Sequence, residues 1–265
     1  MLSQSLPSKP TGTAQPLLSV VIPTYKEAAR LPQTLDEILP YLTSKFPEHE
    51  ILVVDDNSPD ATGQIVEEYR SRYPQVRLIT QFDKRGKGSA VRRGCLEARG
   101  NYVLFMDADH STPITELDEF LPAIQAPGCG AVAGVRTYQE DESRARRIIG
   151  LLGQLLAHLL VFRKAVVDSQ CGFKLFTRET VQRIFPLSRV DGGMVDVELF
   201  YLMHKFAVRC RFVPVIWANK PGSRINVLAC IVRDPLDMLR IRIRDMLGLY
   251  DRPSQARAST GVLRA

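Results

Sequence analysis

Three polar clusters in the first half of the chain each follow a run of apolar, β-branched residues that predicts a strand. The predicted strands cover 17–23, 50–54 and 102–106. The clusters after them read PTYKE (23–27), DDNS (55–58) and DAD (107–109). An Asp-x-Asp at a strand end brings two hard carboxylate groups close together, which suits Mg²⁺ or Mn²⁺ bound to a diphosphate. Asp55 and Asp56 have an alternative role, because an Asx turn that starts the next helix uses the same residue type.

A basic segment that contains glycine, DKRGKG at 83–88, opens the next predicted helix. Backbone N–H groups at such a helix start, together with Lys87, could bind a phosphate or a ribose. The segment lacks the Walker pattern and is not GxGxxG, so it indicates neither an ATPase nor a dinucleotide dehydrogenase. The alternative is an exposed basic turn that binds nothing.

Strands and helices alternate through the first half of the chain. Further strands are predicted at 76–80 and 130–135, and helices at 31–42, 61–72 and 88–99. This alternation predicts an α/β fold with a doubly wound, mostly parallel sheet and flanking helices. Adjacent parallel strands would bring the three polar clusters to one edge of the sheet, where sheets of this kind bind their ligands.

The second half of the chain is less regular. We expect helices at 144–162, 195–204 and from Pro235, a loop through 168–174 and a strand at 210–217. The run RIRIR at 240–244 alternates with period two, whereas Leu236, Leu239, Ile243 and Leu247 keep helical spacing. Both a strand and a helix therefore stay open for this segment.

The composition is that of a soluble globular protein, since 45% of the 265 residues are hydrophobic and 24% are charged. It excludes wholesale disorder, a collagen-like repeat and a polytopic membrane protein. The five cysteines lie far apart without a CxxC pair, which indicates reduced thiols in a cytoplasmic setting.

The positive charge is concentrated in the C-terminal quarter. Residues 201–265 hold twelve Lys and Arg against four Asp and Glu, while the first 200 residues hold 23 against 25. A basic quarter suits an anionic surface such as phospholipid or nucleic acid. We expect no nucleic-acid partner, because the acidic clusters at the strand ends would repel phosphate unless a metal intervened.

No segment of the sequence predicts a signal peptide or a transmembrane helix. Residues 1–16 are polar and are expected to form a disordered lead-in. The longest apolar stretch, 148–162, would span roughly 22 Å as a helix, less than the ~30 Å hydrocarbon core. Basic residues flank it, so it is either an interfacial segment or a buried core helix. The expected domain covers 17–250 and is followed by a flexible tail at 251–265.

Several motifs in a fixed order resemble glycosyltransferase family 2, whose members have the inverting GT-A fold. They are VVIPTYKEA, ILVVDDNSPDAT, RGKGSAVRRG and YVLFMDADHSTP. DSQCGFKLFTRE (168–179), VDVELF and the later Trp217 and PGS resemble a narrower branch, the polyprenyl-phosphate sugar synthases. Within that branch the likeness is greatest to enzymes that load glucose, and next mannose, onto dolichyl phosphate.

The resemblance implies a nucleotide-binding half at 17–135, an acceptor and membrane-proximal half at 136–250, and a set of site residues. Those implied to bind the nucleotide sugar are Pro23, Tyr25, Glu27, Asp55, Asp56, Lys87, Asp107 and Ala108. The implied metal contacts, for Mg²⁺ or Mn²⁺, are Asp107, Asp109 and Ser111, with serine at a position where mannose synthases often have glutamine. Those implied to bind the acceptor phosphate are Arg136, Arg147, Gln170 and Lys174. Those implied to be catalytic are Asp109, Asp196 and Glu198.

The expected reaction is attack on the anomeric carbon with loss of a nucleoside diphosphate, whose growing charge a divalent cation stabilises. A lipid phosphate acceptor is already anionic and needs positioning more than deprotonation. A sugar hydroxyl would need a base, for which Asp196 or Glu198 could serve, unless both are only the acidic residues that favour a helix N-terminus.

We therefore expect an inverting enzyme that is peripheral on the cytoplasmic face of a membrane and moves one hexose to a polyprenyl phosphate. UDP-glucose is the favoured donor and GDP-mannose the second. The alternatives are a family 2 transferase that acts on a polysaccharide or a soluble acceptor, and a basic nucleic-acid-binding protein.

Overall fold

The computed structural model describes residues 17–137, 170–218 and 227–251, which form one mixed sheet with helices on both faces. The strands are β1 (Leu18–Thr24), β2 (His49–Asp55), β3 (Val76–Thr80), β4 (Tyr102–Met106), β5 (Cys129–Thr137), β6 (Phe173–Thr177) and β7 (Arg209–Ile216). The helices are α1 (Leu31–Lys45), α2 (Thr62–Arg72), α3 (Lys87–Glu97), α4 (Leu117–Ile124), α5 (Arg178–Ile184), α6 (Val195–Lys205) and α7 (Val227–Met246). Short 3₁₀ turns at Ile114–Glu116 and Phe185–Leu187 precede α4 and follow α5.

The strand order across the sheet is β3-β2-β1-β4-β6-β5-β7. The first four strands in the chain run parallel, and so do β5 and β7, whereas β6 is antiparallel to both of its neighbours. The predicted α/β fold with a mostly parallel sheet is therefore confirmed. Because Thr24 is paired with Asp55 and Val21 with Phe105, the chain leaves β1, β2 and β4 at the same edge.

The core has two apolar clusters, one on each face of the sheet. Along β1, Val20 and Ile22 pack on the face that carries α1, α2 and α4, while Val21 packs on the face that carries α3, α5, α6 and α7. This alternation follows from the period of two in a strand. Helix α1 shows the matching helical period, with Leu31, Leu35, Ile38 and Leu42 fully buried.

Two expectations for the second half of the chain were wrong. The segment expected to be a loop as far as Lys174 enters a strand at Phe173, because the residues FKLF are buried between β4 and β5. Helix α7 begins at Val227 rather than Pro235, and RIRIR lies within it, so helical spacing outweighs the period-two pattern. The helix expected at 144–162 lies outside the described residues.

The four cysteines whose side chains are described, Cys95, Cys129, Cys171 and Cys210, are free thiols. Within the described ranges, no helix has the length and apolar character needed to cross a bilayer.

Candidate active site

Two carboxylates lie open at the sheet edge just beyond β4. The side chains of Asp107 and Asp109 are 36% and 27% exposed. The Asp107 backbone N–H donates to the Gly172 carbonyl over 3.0 Å, and Asp109 Oδ1 accepts from the Ser111 backbone N–H over 3.0 Å. A Cβ on Gly172 would lie 1.9 Å from Asp107 Oδ2, so only glycine lets this segment pass beside the carboxylate. The fold therefore fixes the backbone around both carboxylates, while their side chains stay partly exposed.

Two cations lie against these carboxylates. Lys87 Nζ is 2.7 Å from Asp107 Oδ1, and Arg30 Nη1 is 3.8 Å from Asp109 Oδ2. Burial alone would lower the pKa of Lys87, but the attraction of Asp107, Asp196 and Asp109 outweighs it and raises that pKa. Lys87 is therefore a permanent cation at neutral pH.

Arg30 was not anticipated from the sequence. It forms a two-pronged ion pair with Glu27, over 2.6 and 2.7 Å, and its buried Nη1 has no hydrogen-bond partner. The spacing of Glu27 and Arg30, three residues apart at a helix start, is the sequence signal that could have found it. Because this Nη1 is buried, Arg30 acts on the site through its positive charge beside Asp109.

Backbone N–H groups of the 83–88 segment donate hydrogen bonds to other parts of the protein. The N–H groups of Arg85 and Gly86 donate to Asp56, over 2.9 and 2.8 Å, and that of Gly88 donates to the Asp191 carbonyl over 2.8 Å. The sequence suggested that N–H groups at this helix start bind phosphate. The structure instead leaves the Lys87 side chain as the group of this loop that faces the carboxylates.

Asp55 and Asp56 both accept hydrogen bonds that hold the loops at the ligand edge of the sheet. Asp55 accepts from the backbone N–H and the hydroxyl of Ser58, three residues later, and so holds the turn that follows β2. The Asx turn that starts α2 is made instead by Asp60, which accepts from the Thr62 backbone N–H over 3.2 Å. Asp56 also accepts from the Gln81 amide over 2.9 Å. Both carboxylates are buried, so a nucleotide that reached them would meet oxygens already bonded to the chain.

The residues after β1 form the neighbouring wall. Pro23 is half-buried in the strand, and the Tyr25 ring lies under Lys84, whose ammonium is 3.7 Å from the ring centroid. A hydrogen bond with Lys84, together with the charges of Lys26 and Lys84, lowers the pKa of the Tyr25 hydroxyl. The Glu27 backbone N–H donates to the Thr62 hydroxyl over 2.9 Å, which links this wall to α2.

Ala108 and Ser111 lie behind the open carboxylates and are buried. The Ala108 carbonyl accepts from the Thr34 hydroxyl over 2.7 Å, and the Ser111 carbonyl accepts from the Ala218 N–H over 2.9 Å. Next to them, His110 has a left-handed backbone with φ of 51°. Its Nε2 accepts from the Ile114 N–H and its Nδ1 bonds to Glu37, so His110 holds the turn that follows Asp109.

The polar residues of the second half divide between the site and the core. Lys174 is 1% exposed, and its Nζ donates to Asp196 over 2.7 Å and to the Cys171 carbonyl. Lys174 and Asp196 thus bond to each other beneath the edge, and an acceptor phosphate would have to break that pair to reach either. Gln170 is exposed, with its amide 3.7 Å from Met194 Sδ.

Glu198 is fully buried away from the edge. It accepts from the Ser188 hydroxyl over 2.6 Å, from the backbone N–H groups of Arg189 and Val190 over 2.9 Å, and from the Tyr250 hydroxyl over 2.5 Å. Four donor groups therefore surround the carboxylate.

The two arginines implied to bind the acceptor phosphate differ in what the structure describes of them. Arg136 lies at the end of β5 with its guanidinium 5.4 Å from the Trp217 ring centroid, and Arg147 lies outside the described residues.

The donor set at the edge fits a divalent cation shared with a diphosphate. Among the described residues, no three His, Cys, Asp or Glu side chains are placed to hold a metal ion together. Asp107 and Asp109 supply two hard oxygen ligands, and Mg²⁺ commonly takes one or two carboxylates with phosphate and water oxygens completing its shell.

Known proteins resemble this chain in both sequence and fold. The model of "Glycosyl transferase family 2" matches residues 19–185. A dolichyl-phosphate beta-glucosyltransferase of Dictyostelium discoideum is 35% identical over 248 residues, which cover 88% of this chain and 76% of the relative. One from Homo sapiens is 36% identical over 249 residues, covering 88% and 77%.

A solved structure shares the fold at low identity. Glucosyl-3-phosphoglycerate synthase from Mycobacterium tuberculosis, in complex with Mn²⁺, UDP-glucose and phosphoglyceric acid, has a TM-score of 0.62 at 20% identity. The match covers 94% of this chain and 87% of the other.

The mixed α/β sheet of this order has the GT-A fold of that solved structure. The chain belongs to glycosyl transferase family 2. The expectations of family, fold and enzyme class are confirmed.

Proposed function

We propose that this enzyme transfers glucose from UDP-glucose to a polyprenyl phosphate of the dolichyl type, with inversion, on the cytoplasmic face of a membrane. The observation that carries the proposal is the grouping of Asp107 and Asp109 with Lys87 and Arg30 at the ligand edge of the sheet. Alternating carboxylates and cations suit a diphosphate with a divalent cation. The relatives named dolichyl-phosphate beta-glucosyltransferase support the choice of sugar and acceptor.

At the donor end, Asp107 and Asp109 would hold the divalent cation. That cation would stabilise the negative charge that develops on the departing nucleoside diphosphate. Lys87 and the guanidinium of Arg30 add fixed positive charge beside the same oxygens, in a place that the fold determines before substrate arrives. Pro23, Tyr25 and Glu27 form the wall for the nucleoside, and Asp55 and Asp56 keep the surrounding loops in position.

At the acceptor end, the phosphate needs to be positioned rather than deprotonated, because it is anionic at neutral pH. Gln170 and Arg136 are the described residues that we assign to this task, together with Arg147. The pairing of Asp196 with Lys174, and of Glu198 with four donors, supports a mechanism in which neither acts as a base.

The test is sugar transfer by the purified chain into a product that partitions into organic solvent. Labelled UDP-glucose and GDP-mannose are compared with polyprenyl phosphate, with Mg²⁺ or Mn²⁺, and with EDTA. We expect metal-dependent label in the organic phase from UDP-glucose. Asp109→Asn should lower this transfer by roughly 10²–10³-fold, the usual effect of removing one charge-stabilising group. Asp118→Asn is the matched control, because Asp118 lies on α4 and pairs with Lys45.

Each other result would change a specific part of the proposal. Label from GDP-mannose alone would replace the sugar, and label only in a water-soluble product would exclude the lipid acceptor. Full transfer in EDTA, or by Asp109→Asn, would overturn the metal site.

A further inference from the structure

The outward face of α7, together with the residue that directly follows it, carries an apolar stripe formed by Leu236, Leu239, Ile243, Met246 and Leu247. These side chains are between 45% and 81% exposed. At 100° per residue they fall within an arc of about 100° on the helix. Together with Leu249, they make up six of the eleven large hydrophobic side chains that are exposed among the described residues. Such a concentration of exposed apolar side chains marks a surface that contacts a membrane or another protein.

The opposite face of the same helix fixes the stripe in place. Met238 and Ile241 are buried against the sheet cluster, and Tyr250 just beyond the helix donates to Glu198. Asp245 bonds to Tyr201 and Lys205 on α6. Because one apolar face already packs in the core, the exposed stripe is a second apolar face on a rigid helix.

Arginines border the stripe on both sides. Arg233, Arg240 and Arg244 fall on one side of the arc and Arg242 on the other, by the same helical rotation. Arg233 and Arg240 are 58% and 59% exposed, whereas Arg244 Nη1 lies 3.8 Å from Glu198 and Arg242 donates to the Tyr201 hydroxyl over 2.9 Å. Two acidic residues of this stretch, Asp237 and Asp245, are turned to the protein. Asp237 is buried and bonded to Arg240 over 2.8 Å, and Asp245 is paired with α6.

We propose that this stripe of α7 docks on an anionic bilayer surface, with the helix lying in the membrane plane. The inference rests on the proposed function, since an enzyme with a lipid acceptor must meet the acceptor at a bilayer. A narrow convex apolar stripe with arginines on both borders is the pattern of an interfacial helix, in which the cations reach the headgroups beside the buried apolar residues. Anionic headgroups complement the arginine borders, and this complementarity favours a bilayer over a second copy of the chain.

The test is flotation of the full chain with phosphatidylcholine vesicles, with or without phosphatidylserine, in the absence of nucleotide sugar and polyprenyl phosphate. We expect the protein to float with the anionic vesicles and less so at high salt. Leu239→Glu combined with Ile243→Glu should lower the bound fraction at limiting lipid by about tenfold or more, because two charges replace apolar contacts. Leu96→Glu is the matched control, since Leu96 on α3 is 46% exposed, close to the 47% of Leu239.

The result that would overturn the inference is flotation of the double variant at the wild-type level. Sedimentation is the second measurement. If the wild type is a dimer that does not bind vesicles, and the double variant is a monomer, the stripe is a contact with a second copy of the chain instead. Unchanged thermal unfolding of the double variant shows that it folds. Since no substrate is present, a protein that floats but transfers no sugar would contradict the proposed function and leave the docking surface intact.

Discussion

Carboxylates in this molecule have two distinct uses, and their hydrogen-bond partners tell them apart. Asp107 and Asp109 have partly exposed side chains at the sheet edge beside cations. Asp56 and Glu198 are buried, and each accepts several hydrogen bonds from loop backbone. A carboxylate whose oxygens already accept several hydrogen bonds from the chain holds that part of the fold together and has little acceptor capacity left for a substrate.

Glu198→Gln provides the sharpest test of this distinction. Glutamine keeps the shape but turns an NH₂ group toward donors from the 188–190 loop or Tyr250, which leaves buried donors without acceptors. We expect a loss of about 2–3 kcal/mol in the free energy of unfolding, measured with denaturant. The pH profile of sugar transfer at low temperature should keep its shape. A general base would show the reverse pattern: unchanged stability with a drop of 10²–10⁴-fold in turnover.

Sequence reasoning at this scale identifies residue types and spacing but not partners. The Asp-x-Asp and Lys87 meet at the edge because parallel strands end together, which the pattern of strands already implies. The partners of Glu198 come from 188–190 and from Tyr250, and the pairing of Lys174 with Asp196 depends on β6 lying against α6. Nothing in the spacing of these residues specifies such contacts.

Among the elements, the start of α3 depends on a second loop for its position. Gly86 has φ of 118°, and a Cβ there would lie 2.5 Å from the Asp191 carbonyl oxygen. The Gly88 N–H donates to that same carbonyl. The 191–192 segment thus sets where Lys87 stands relative to Asp107.

Gly86→Ala should therefore harm the enzyme at a distance from the reacting atoms. A left-handed backbone and a close contact together cost about 1–3 kcal/mol, and the start of α3 must shift to relieve them. We expect a lower unfolding temperature and a raised KM for the nucleotide sugar. Gly193→Ala is the control in the same segment, since a Cβ there meets nothing within 4 Å. Equal behaviour of the two variants would remove the proposed role of this contact.

The helices and strands could be predicted from the sequence where a segment carried a single clear hydrophobic pattern. Strands β1 to β4 are apolar runs between turn residues, and the helices between them bury residues at helical spacing. Strand β6 was missed because FKLF directly follows the polar residues of a motif interpreted as a loop. Its antiparallel position between β4 and β5 depends on tertiary packing, which the local sequence pattern does not specify.

At the scale of the whole molecule, the carboxyl ends of the parallel strands form the ligand edge, and their amino ends form the opposite edge of the sheet. His49 begins β2 at that opposite edge and is buried. Its Nδ1 donates to the Phe46 carbonyl over 2.6 Å, and its buried Nε2 has no hydrogen-bond partner. Burial lowers the pKa of His49 below its ordinary value of 6.5, because a second proton would place an unpaired charge inside the protein.

Because the pKa of His49 is lowered in the folded state, the stability of the protein depends on pH through a residue that lies far from the candidate active site. Below an ordinary histidine pKa the unfolded chain takes up a proton that the folded chain resists, so the free energy of unfolding falls as the pH falls. Above it, both states are neutral and the effect vanishes. We expect His49→Asn, whose amide can donate to Phe46, to remove this part of the decline in unfolding midpoint between about pH 8 and about pH 5. Parallel curves for the two proteins would contradict the assignment.

The ion pair of Lys174 and Asp196 also constrains how this sequence can drift over time. Losing either partner alone leaves a charge stranded in the core, at ~3–5 kcal/mol, whereas an apolar pair of similar volume is tolerated. A lineage can therefore leave this state only by changing both codons within a short interval. Among descendants of a common ancestor, positions 174 and 196 should covary as a unit, kept together or exchanged together.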